Sequence, residues 1–377
     1  MRILLDYRPA LRERTGVGEY VHELARALAA TSPAGDSLML FTSSWRDRPA
    51  PGLTAELVGA RITDWRVPVS ILTWAWHHLG WPPADALAGA ADVAHSPTPL
   101  LLPARRAARV VTVHDLDFLD HPERATGEMR RDYPRLARDH AHRADRVIAV
   151  SAYTARQVTA RLGVPPAKIS VCSAGPPAWT AAVAAERAAR QAPGGCVLFV
   201  GTLEPRKNVG GLLDAYEALV ARRPDAPPLC LAGRAGAAAM PWLERVGQPP
   251  FNGRVRVTGY VLPDQRPALY RDARMLVLPS FEEGFGLPVL EAMACGVPVV
   301  VSDRGALPEV AGAAARPVDP DDHEALAAAM AALLDDDAAA DASRRGAAEA
   351  ARYSWTTAAA AAREAYRLAL DAREARS

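Results

Sequence analysis

Cysteine is scarce in this chain of 377 residues, which contains only Cys172, Cys196, Cys230 and Cys295. No two of them form a Cys-x-x-Cys pair, and none has a histidine at the spacing of a metal site. The spacing therefore argues against a disulfide framework and against a zinc site. A reducing compartment, the cytoplasm, fits these thiols best.

An excess of charge of either sign is also missing. Lysine and arginine number 44 and aspartate and glutamate 43, a formal net charge of +1, so the chain lacks the basic surplus of a nucleic-acid-binding protein. No apolar run approaches the roughly 20 residues of a membrane-spanning helix, and MRILLD (1–6) leads into a strand-like segment without a secretion leader. We expect a cytoplasmic protein with no nucleic-acid partner.

Short apolar runs alternate with longer helical segments, which is the pattern of parallel βαβ units in an α/β fold. The predicted strands are 2–6, 93–96, 109–115, 146–151, 196–201, 228–233, 254–259, 275–280 and 298–302. A stretch rich in Pro, Ala and Gly, 173–195, separates the first four strands from the rest. The sequence thus predicts two doubly wound sheets facing each other across a cleft, with ligands beyond the carboxyl ends of the strands.

The stretch EEGFGLPVLE (282–291) follows the last but one of these strands. Pro288 suits the first position of a helix and Gly296 the position just past its end. Backbone N–H groups of the turn would then face an anion at the positive end of the helix dipole. The residues that carry these N–H groups are Gly284, Phe285, Gly286 and Leu287.

Two acids, Glu283 and Glu291, flank this candidate anion site. Taken alone, Glu291 would be interpreted as an ordinary first-turn acid that stabilises its helix. Beside a bound anion, however, each carboxylate needs something else to bind, and a carboxylate accepts two hydrogen bonds from vicinal hydroxyls. The pattern indicates a ligand that carries both phosphates and a polyol.

Positive partners for the phosphates occur in GTLEPRKN (201–208), where Arg206 and Lys207 follow a predicted strand. Taken alone, they could be solvated turn charges. Near the start of the chain, TGVGEY (15–20) contains Gly16 and Gly18, which would let the backbone approach a diphosphate before a helix begins. Three separate anion-facing features in one chain favour a nucleotide-type ligand.

Glu283 and Glu291 form a Glu-x7-Glu motif, and the chain resembles the retaining glycosyltransferases of the large family 4, group 1, in its mannosyltransferase-like branch. The similarity runs along nearly the whole chain, and SFEEGFGLPVLEAMACGVPVVVSD (280–303) is its most specific block. The other segments that carry it are TGVGEY (15–20), VTVHDLDFLDHPE (111–123), VSAYTARQV (150–158), GTLEPRKN (201–208), VTGYV (257–261) and RYSW (352–355).

The resemblance implies the GT-B fold, in which two Rossmann-like domains face each other across a cleft and a C-terminal helix crosses back to the first domain. We therefore expect an acceptor-binding domain at 1–178, a linker at 179–195, a donor-binding domain at 196–354 and the returning helix at 355–377. The expected partners are a nucleotide-sugar donor and a glycan, lipid-linked or small-molecule acceptor.

The resemblance also implies roles for the charged residues. Glu283 would contact hydroxyls of the donor hexose at the reacting centre, and Glu291 would hold the diol of the nucleotide ribose. The backbone amides at 284–287 would contact sugar and phosphate. Arg206 and Lys207 would neutralise the diphosphate as it leaves.

Further roles follow from the same resemblance. Gly16 and Gly18 would let the N-terminal loop close over the diphosphate. The nucleotide base would lie near Gly259, Tyr260 and Val261, mostly through backbone contacts.

His114 resembles the family's cleft histidine near donor sugar and acceptor, although a lone histidine at a strand end is usually structural. Thr202 stands where many relatives carry an arginine, and Arg206 would compensate. Asp115 and Asp117 have the Asp-x-Asp spacing of metal-dependent glycosyltransferases of the other main fold, but in a continuing strand they would point to opposite sides. We expect these two acids to contact the acceptor, with no metal and no cofactor.

The resemblance favours same-face attack, in which a donor phosphate oxygen takes the acceptor proton. A carboxylate nucleophile remains the alternative, with Glu283 as its candidate. GDP-mannose is the expected donor, and UDP-glucose is the alternative. A nucleotide-sugar epimerase and a non-catalytic nucleotide-sugar sensor are the rivals, whereas a dinucleotide-dependent dehydrogenase is disfavoured because the chain lacks G-x-G-x-x-G after its first strand.

A tryptophan-rich segment at 64–81 bears on the acceptor. It would either dock a lipid-linked acceptor or a membrane surface, or pack as an ordinary helix. The basic stretch at 124–146 would also suit an anionic membrane. Peripheral association with the inner face of the membrane is therefore an open expectation.

Overall fold

The computed structural model describes residues 1–11, 14, 16–121, 129–190 and 195–376, without the side chains of 129–131 and 237. The chain divides into two compact units. Unit 1 comprises 1–175 with 354–377, and unit 2 comprises 176–353. Residues 122–128, where the basic stretch begins, and 191–194, in the expected linker, lie outside the described residues.

Strands and helices alternate along the chain. The strands are β1 (Arg2–Asp6), β2 (Ser37–Ser43), β3 (Ala60–Trp65), β4 (Val93–Ser96), β5 (Ala108–Val113), β6 (Arg146–Ala149), β7 (Ile169–Val171), β8 (Cys196–Val200), β9 (Leu229–Ala232), β10 (Val255–Gly259), β11 (Ala273–Leu278) and β12 (Val299–Val301). The α-helices are α1 (Gly16–Ala30), α2 (Leu53–Glu56), α3 (Val69–Trp74), α4 (Ala84–Leu87), α5 (Met129–Arg143), α6 (Ala152–Gln157), α7 (Trp179–Ala189), α8 (Val209–Arg222), α9 (Met240–Val246), α10 (Arg266–Arg271), α11 (Leu287–Ala294), α12 (Leu307–Ala311), α13 (His323–Ala332), α14 (Asp336–Ala350) and α15 (Trp355–Glu374).

Unit 1 is built on a parallel sheet with the order β3-β2-β1-β4-β5-β6-β7. Leu4 in β1 pairs with Met39 on one side and with Ala94 on the other. The central strands are buried on both faces, so they read as continuous apolar runs. The strand order reverses between β1 and β4, and in such sheets this is where ligands bind.

Unit 2 carries a second parallel sheet with the order β10-β9-β8-β11-β12. Its order reverses between β8 and β11. The loops after these two strands therefore flank the expected ligand position of this sheet.

The helix α15 belongs to unit 1 and packs against its sheet. Tyr366 Oη lies 2.8 Å from His95 Nδ1, and the Cys172 thiol donates to the carbonyl of Ala358. Arg363 donates to Thr31 in the loop after α1, at 2.8 Å.

The structure differs from the sequence expectations at several boundaries. The expected linker at 179–195 begins with α7, which belongs to unit 2, and the division of the chain lies after residue 175. The strand expected at 109–115 ends at Val113, and α1 begins at Gly16. Three strands, β2, β3 and β7, were not predicted.

The tryptophan-rich segment runs from the end of β3 through α3 and a π-helical turn, Ala75–Leu79. Trp76 is buried, whereas Trp65, Trp74 and Trp81 are exposed. No helix within the described residues combines the length and apolar character needed to cross a membrane.

Candidate active site

Two loops of unit 2 meet where its strand order reverses. Arg206 and Lys207 lie in a 3-10 turn after β8, and Asn208 behind them caps α8 by accepting from the N–H of Gly211 at 3.2 Å. Phe281, in the loop after β11, donates its backbone N–H to the carbonyl of Arg206 at 2.9 Å. This bond fixes the two loops to each other.

Glu283 is buried at the centre of this arrangement, with 6% of its surface exposed. Its Oε1 accepts from Lys207 Nζ and from Ser280 Oγ, the latter at 2.9 Å. Its Oε2 lies 3.6 Å from Arg206 Nη1. Burial alone would raise the pKa of the Glu283 carboxyl, but Lys207 and Arg206 outweigh it and hold this pKa below its usual value. Glu283 is therefore an ionised carboxylate held by cations.

Arg206 is fixed by other groups as well. Its Nη1 donates to the carbonyl of Glu282 at 3.0 Å, and its Nη2 donates to Glu204 at 2.9 Å. Lys207 has three ammonium protons, of which Glu283 takes one. Both cations are thus positioned before any ligand arrives, and Lys207 retains donors for one.

The backbone of Glu283 is held from a third loop, after β12. Ala306 donates its N–H to the carbonyl of Glu283 at 2.8 Å. The preceding residue, Gly305, has φ of +64°, and a Cβ there would lie 2.6 Å from the Glu283 nitrogen and 2.7 Å from its carbonyl oxygen. Glycine at this position lets the loop approach Glu283 this closely.

The turn at 284–287 opens α11, as the sequence predicts, although the helix begins at Leu287, one residue before Pro288. Gly286 has φ of +99° and stands at the N-cap position. Phe285 is buried edge-to-face against Tyr353. The amino end of a buried helix therefore adjoins Glu283, and its amides carry partial positive charge.

Glu291 of α11 is buried, with only 1% of its surface exposed. Arg266 donates to its Oε1 and the Tyr270 hydroxyl donates to its Oε2. Burial and the neighbouring carboxylate hold the pKa of Tyr270 well above its usual value, so its hydroxyl stays a donor. Trp179 of α7 packs on this group, with its ring 5.5 Å from that of Tyr270.

The residues expected near the nucleotide base follow β8 and β10. Thr202 lies in the loop after β8, and Gly259, Tyr260 and Val261 lie half-buried at the end of β10 and beyond it. Between them, Gly233 at the end of β9 approaches the β8 loop so closely that a Cβ there would lie 1.8 Å from the Gly201 carbonyl oxygen. The carboxyl ends of these three strands thus lack side-chain bulk at Gly201, Gly233 and Gly259.

His114, Asp115 and Asp117 belong to unit 1. His114 Nε2 lies 3.1 Å from the carbonyl of Pro97, which only accepts, so this nitrogen carries the proton and Nδ1 is an acceptor. Burial lowers the pKa of His114, and its ring packs edge-to-face on Tyr20. The two acids follow the end of β5 in a turn, where the Asp117 N–H donates to Asp115 at 3.3 Å, so they do not continue the strand.

Gly16 and Gly18 lie in the first turn of α1, since this helix begins at Gly16. The expectation that these two glycines precede the helix is therefore wrong, because both lie within it. Gly16 is exposed, and a Cβ there would meet nothing within 4 Å.

Sequence reasoning missed four residues that support the two glutamates. Ser280 is a small polar residue two positions after β11, at the end of the strand predicted from the sequence, and this is a usable signal. Gly305 is the single glycine of the turn between β12 and α12, which is a weaker signal. Arg266 and Tyr270 both belong to α10, and no sequence spacing links this helix to Glu291.

Taken together, the site can hold a phosphorylated polyol. Cations, helix amides and carboxylates lie side by side, which suits a diphosphate joined to sugars. Among the described residues, no group of three or more His, Cys, Asp or Glu side chains is arranged to hold a metal ion.

Comparison with known proteins places both units in one family. Residues 14–175 match the model of Glycosyltransferase Family 4, and residues 194–336 match that of Glycosyl transferases group 1. O-antigen chain mannosyltransferase B of Escherichia coli is 30% identical over 344 residues, which are 87% of this chain and 89% of that protein. D-inositol 3-phosphate glycosyltransferase of Kribbella flavida is 29% identical over 333 residues, 80% of this chain and 77% of that protein.

Solved structures share the fold at lower identity. Sucrose-phosphate synthase from Thermosynechococcus elongatus has a TM-score of 0.74 at 22% identity, covering 97% of this chain and 98% of its own. Anabaena HepE in complex with UDP and glucose has a TM-score of 0.70 at 17% identity, covering 96% and 98%. The predicted two-domain, Rossmann-like GT-B fold is confirmed.

Proposed function

Because this chain belongs to glycosyltransferase family 4, the group 1 glycosyl transferases, we propose that it moves a hexose from a nucleotide sugar to an acceptor hydroxyl with retention of anomeric configuration. Mannose from GDP-mannose is our preferred donor, supported by the mannosyltransferase named above. The acceptor is a hydroxyl of a glycan, a glycolipid or a small molecule. The observation that carries the proposal is the buried group of Glu283, Lys207 and Arg206 at the strand-order reversal of unit 2.

Departure of the nucleoside diphosphate is the step that this group serves. One further negative charge develops on the diphosphate as its bond to the sugar breaks. Lys207 and Arg206 are preorganised beside it, so no reorganisation is needed when this charge appears. The amides at 284–287 add the positive end of α11. Glu291 is assigned to the ribose diol, with Arg266 and Tyr270 holding its carboxylate in place.

The acceptor hydroxyl attacks the anomeric carbon on the face from which the diphosphate leaves, and a donor phosphate oxygen takes the proton of that hydroxyl. The geometry of Glu283 supports this choice over a covalent glycosyl-enzyme, since its Oε1 is engaged by Lys207 and Ser280. Its lowered pKa also makes it a weaker nucleophile. In unit 1, His114 offers Nδ1 as an acceptor for a sugar hydroxyl, Asp115 and Asp117 contribute to acceptor binding, and no metal takes part.

The base contacts and the phosphate loop complete the donor site. Gly259, Tyr260 and Val261 receive the base, and Thr202 lies on the phosphate loop where Arg206 supplies the charge. Gly16 and Gly18, at the amino end of α1, are assigned to the diphosphate.

The direct test is a panel of nucleotide sugars, including GDP-mannose and UDP-glucose, measured by calorimetry and by release of nucleoside diphosphate. We expect GDP-mannose to bind most tightly and the product to keep the donor's anomeric configuration by NMR. UDP-glucose is the second donor candidate, because the HepE structures hold UDP or UDP-glucose. An altered free sugar formed without an acceptor would instead indicate an epimerase, and binding without turnover a sensor.

A double variant tests the leaving-group role. Arg206→Ala with Lys207→Ala should lower turnover by at least a hundredfold, about 2.7 kcal/mol of barrier. The matched control is Arg222→Ala with Arg223→Ala, two adjacent surface arginines of the same unit whose ion pairs are exposed. Wild-type turnover in the Arg206→Ala, Lys207→Ala variant would show that these cations do not act on the leaving group.

Peripheral membrane association and a cytoplasmic location belong to the same proposal. Of the twelve large apolar side chains that are exposed among the described residues, eight lie between positions 45 and 81. Ile71, Trp74 and Trp81 are among them, and tryptophan favours a membrane interface. Sedimentation with phosphatidylglycerol vesicles should fall when Trp74 and Trp81 are both replaced by serine, and unchanged sedimentation would refute this surface.

A further inference from the structure

Unit 1 contains a cavity at the point where its own strand order reverses. The cavity has a volume of about 710 Å³ and is lined by residues from the ends of β1 and β4, the loop after β2, and the helical segment after β3. Cavities of this size accommodate small-molecule ligands. None of the donor-site residues of unit 2 lines it.

Charge in the cavity lining is balanced. Asp6 accepts from Arg8 Nε and Nη2, at 2.8 and 2.7 Å. Arg46 and Asp47 add one charge of each sign. Burial lowers the pKa of His77 to about 4, so this side chain is neutral near pH 7. The described lining thus has no net positive charge with which to select a phosphorylated ligand.

The lining combines apolar faces with polar groups. Trp45 is 72% exposed at the cavity, so its indole face is available to a ligand. Ser44, Thr73 and Thr98 contribute hydroxyl groups. A hexose ring matches this mixture, because one face of the ring presents C–H groups while its edge presents hydroxyls.

Arg8 is rigidly held at the base of this lining. Its guanidinium stacks on the buried Trp76, 4.4 Å from the ring centroid, while Asp6 holds two of its nitrogens. The remaining nitrogen, Nη1, is buried without a hydrogen-bond partner among the described residues. A buried donor without an acceptor costs about 1–3 kcal/mol, so a ligand hydroxyl that reached it would relieve this cost.

We propose that this cavity binds the saccharide end of the acceptor as a neutral hexose, with Trp45 stacked on one face of the ring and Arg8 donating to a ring hydroxyl. The inference rests on the proposed glycosyltransferase function and specifies the class of its second substrate. A phosphorylated small molecule is the competing class.

The test uses neutral mannose oligosaccharides of one to four units and mannose 6-phosphate as the charged probe, on the full chain without donor. Saturation-transfer NMR should show binding of the neutral sugars, and Trp45→Ala should weaken their affinity at least tenfold. Trp45→Phe should restore most of it, because the ring face is kept. The matched control is Trp74→Ala, an exposed tryptophan outside the cavity lining.

Assays with the donor distinguish failure of the saccharide-site inference from failure of the proposed glycosyltransferase function. Nucleoside diphosphate release from GDP-mannose without acceptor, and the KM for the donor, should be unchanged in Trp45→Ala, while the KM for the oligosaccharide rises. If Trp45→Ala binds the sugars as Trp74→Ala does, the cavity is not the saccharide site, even with donor turnover intact. Binding of mannose 6-phosphate but of no neutral sugar would also overturn the inference. If the wild-type protein does not turn over any nucleotide-sugar donor, the proposed function itself is refuted.

Discussion

Replacing Gly305 by alanine tests whether the backbone position of Glu283 controls activity. The new Cβ would lie 2.6 Å from the Glu283 nitrogen, whereas ordinary contacts begin at 3.4 Å. The two backbones must therefore separate by about 0.8 Å. This shift acts on backbone atoms, so no side-chain rotation relieves it.

The expected loss of activity follows from this displacement. A misplacement of about 1 Å at a reacting centre costs on the order of a hundredfold in rate, or about 2.7 kcal/mol of barrier. The left-handed backbone adds a separate cost of about 1–2 kcal/mol in stability. Gly305→Ala should thus lower kcat/KM by about a hundredfold and also lower the free energy of unfolding.

Gly253→Ala is the matched control. Gly253 lies in unit 2 with a similar φ of +75°, but a Cβ there would meet nothing within 4 Å. This variant should lose stability by the same backbone cost and keep wild-type turnover. Initial rates at saturating and limiting donor, with urea unfolding of both variants, provide the comparison. Equal activity in the two variants would refute the argument that Gly305 positions Glu283.

Three further predictions concern charge. Because the pKa of Glu283 is lowered from 4.5, its contribution to stability should be present above pH 4.5 and be lost as pH falls through the folded value. In Lys207→Met the effect of burial on the Glu283 pKa is no longer outweighed by Lys207. Urea unfolding of this variant should therefore show a smaller gain in the free energy of unfolding between pH 4 and 7 than the wild type. An identical pH profile would show that the Lys207–Glu283 pair does not contribute to stability. Glu291→Gln should weaken nucleoside diphosphate binding by about 1.5–3 kcal/mol, and equal affinity by calorimetry would leave Glu291 a structural acid. Exhaustive chelation should leave the initial rate within about twofold, some 0.4 kcal/mol of barrier; activity lost to EDTA and restored by Mn²⁺ would contradict the metal-independent mechanism and direct attention to Asp115 and Asp117.

All five strands of unit 2 could be predicted from the sequence, because most of them are buried and appear as uninterrupted apolar runs. The same reasoning locates the loops after β8 and β11, since both follow such runs and contain glycine. Glu283, Arg206 and Lys207, which lie in these two loops, are in contact in the structure. Their proximity follows from the parallel topology, which brings carboxyl ends of neighbouring strands to one edge.

The missed elements lack those signals. The edge strand β3 is half-exposed along its length and has no apolar run, and β7 has only three residues. The helix α7 was taken for a linker because its composition is Ala-rich, yet Arg187 in it donates to the carbonyls of Tyr270 and Ala273. Contacts of this kind depend on tertiary packing and leave no periodic trace in the sequence.

The structure explains how acidic side chains can lie beside a proposed anion site. Glu283 is neutralised by Lys207 and Glu291 by Arg266, so neither presents an unpaired charge to a diphosphate. Glu204 similarly balances Arg206. Because the formal charges of these six residues cancel, they do not attract the donor through their net charge. Attraction of the donor depends instead on hydrogen-bond donors aimed at short range, the remaining protons of Lys207 and the amides of α11, which is a basis for recognising the shape of the donor as well as its charge.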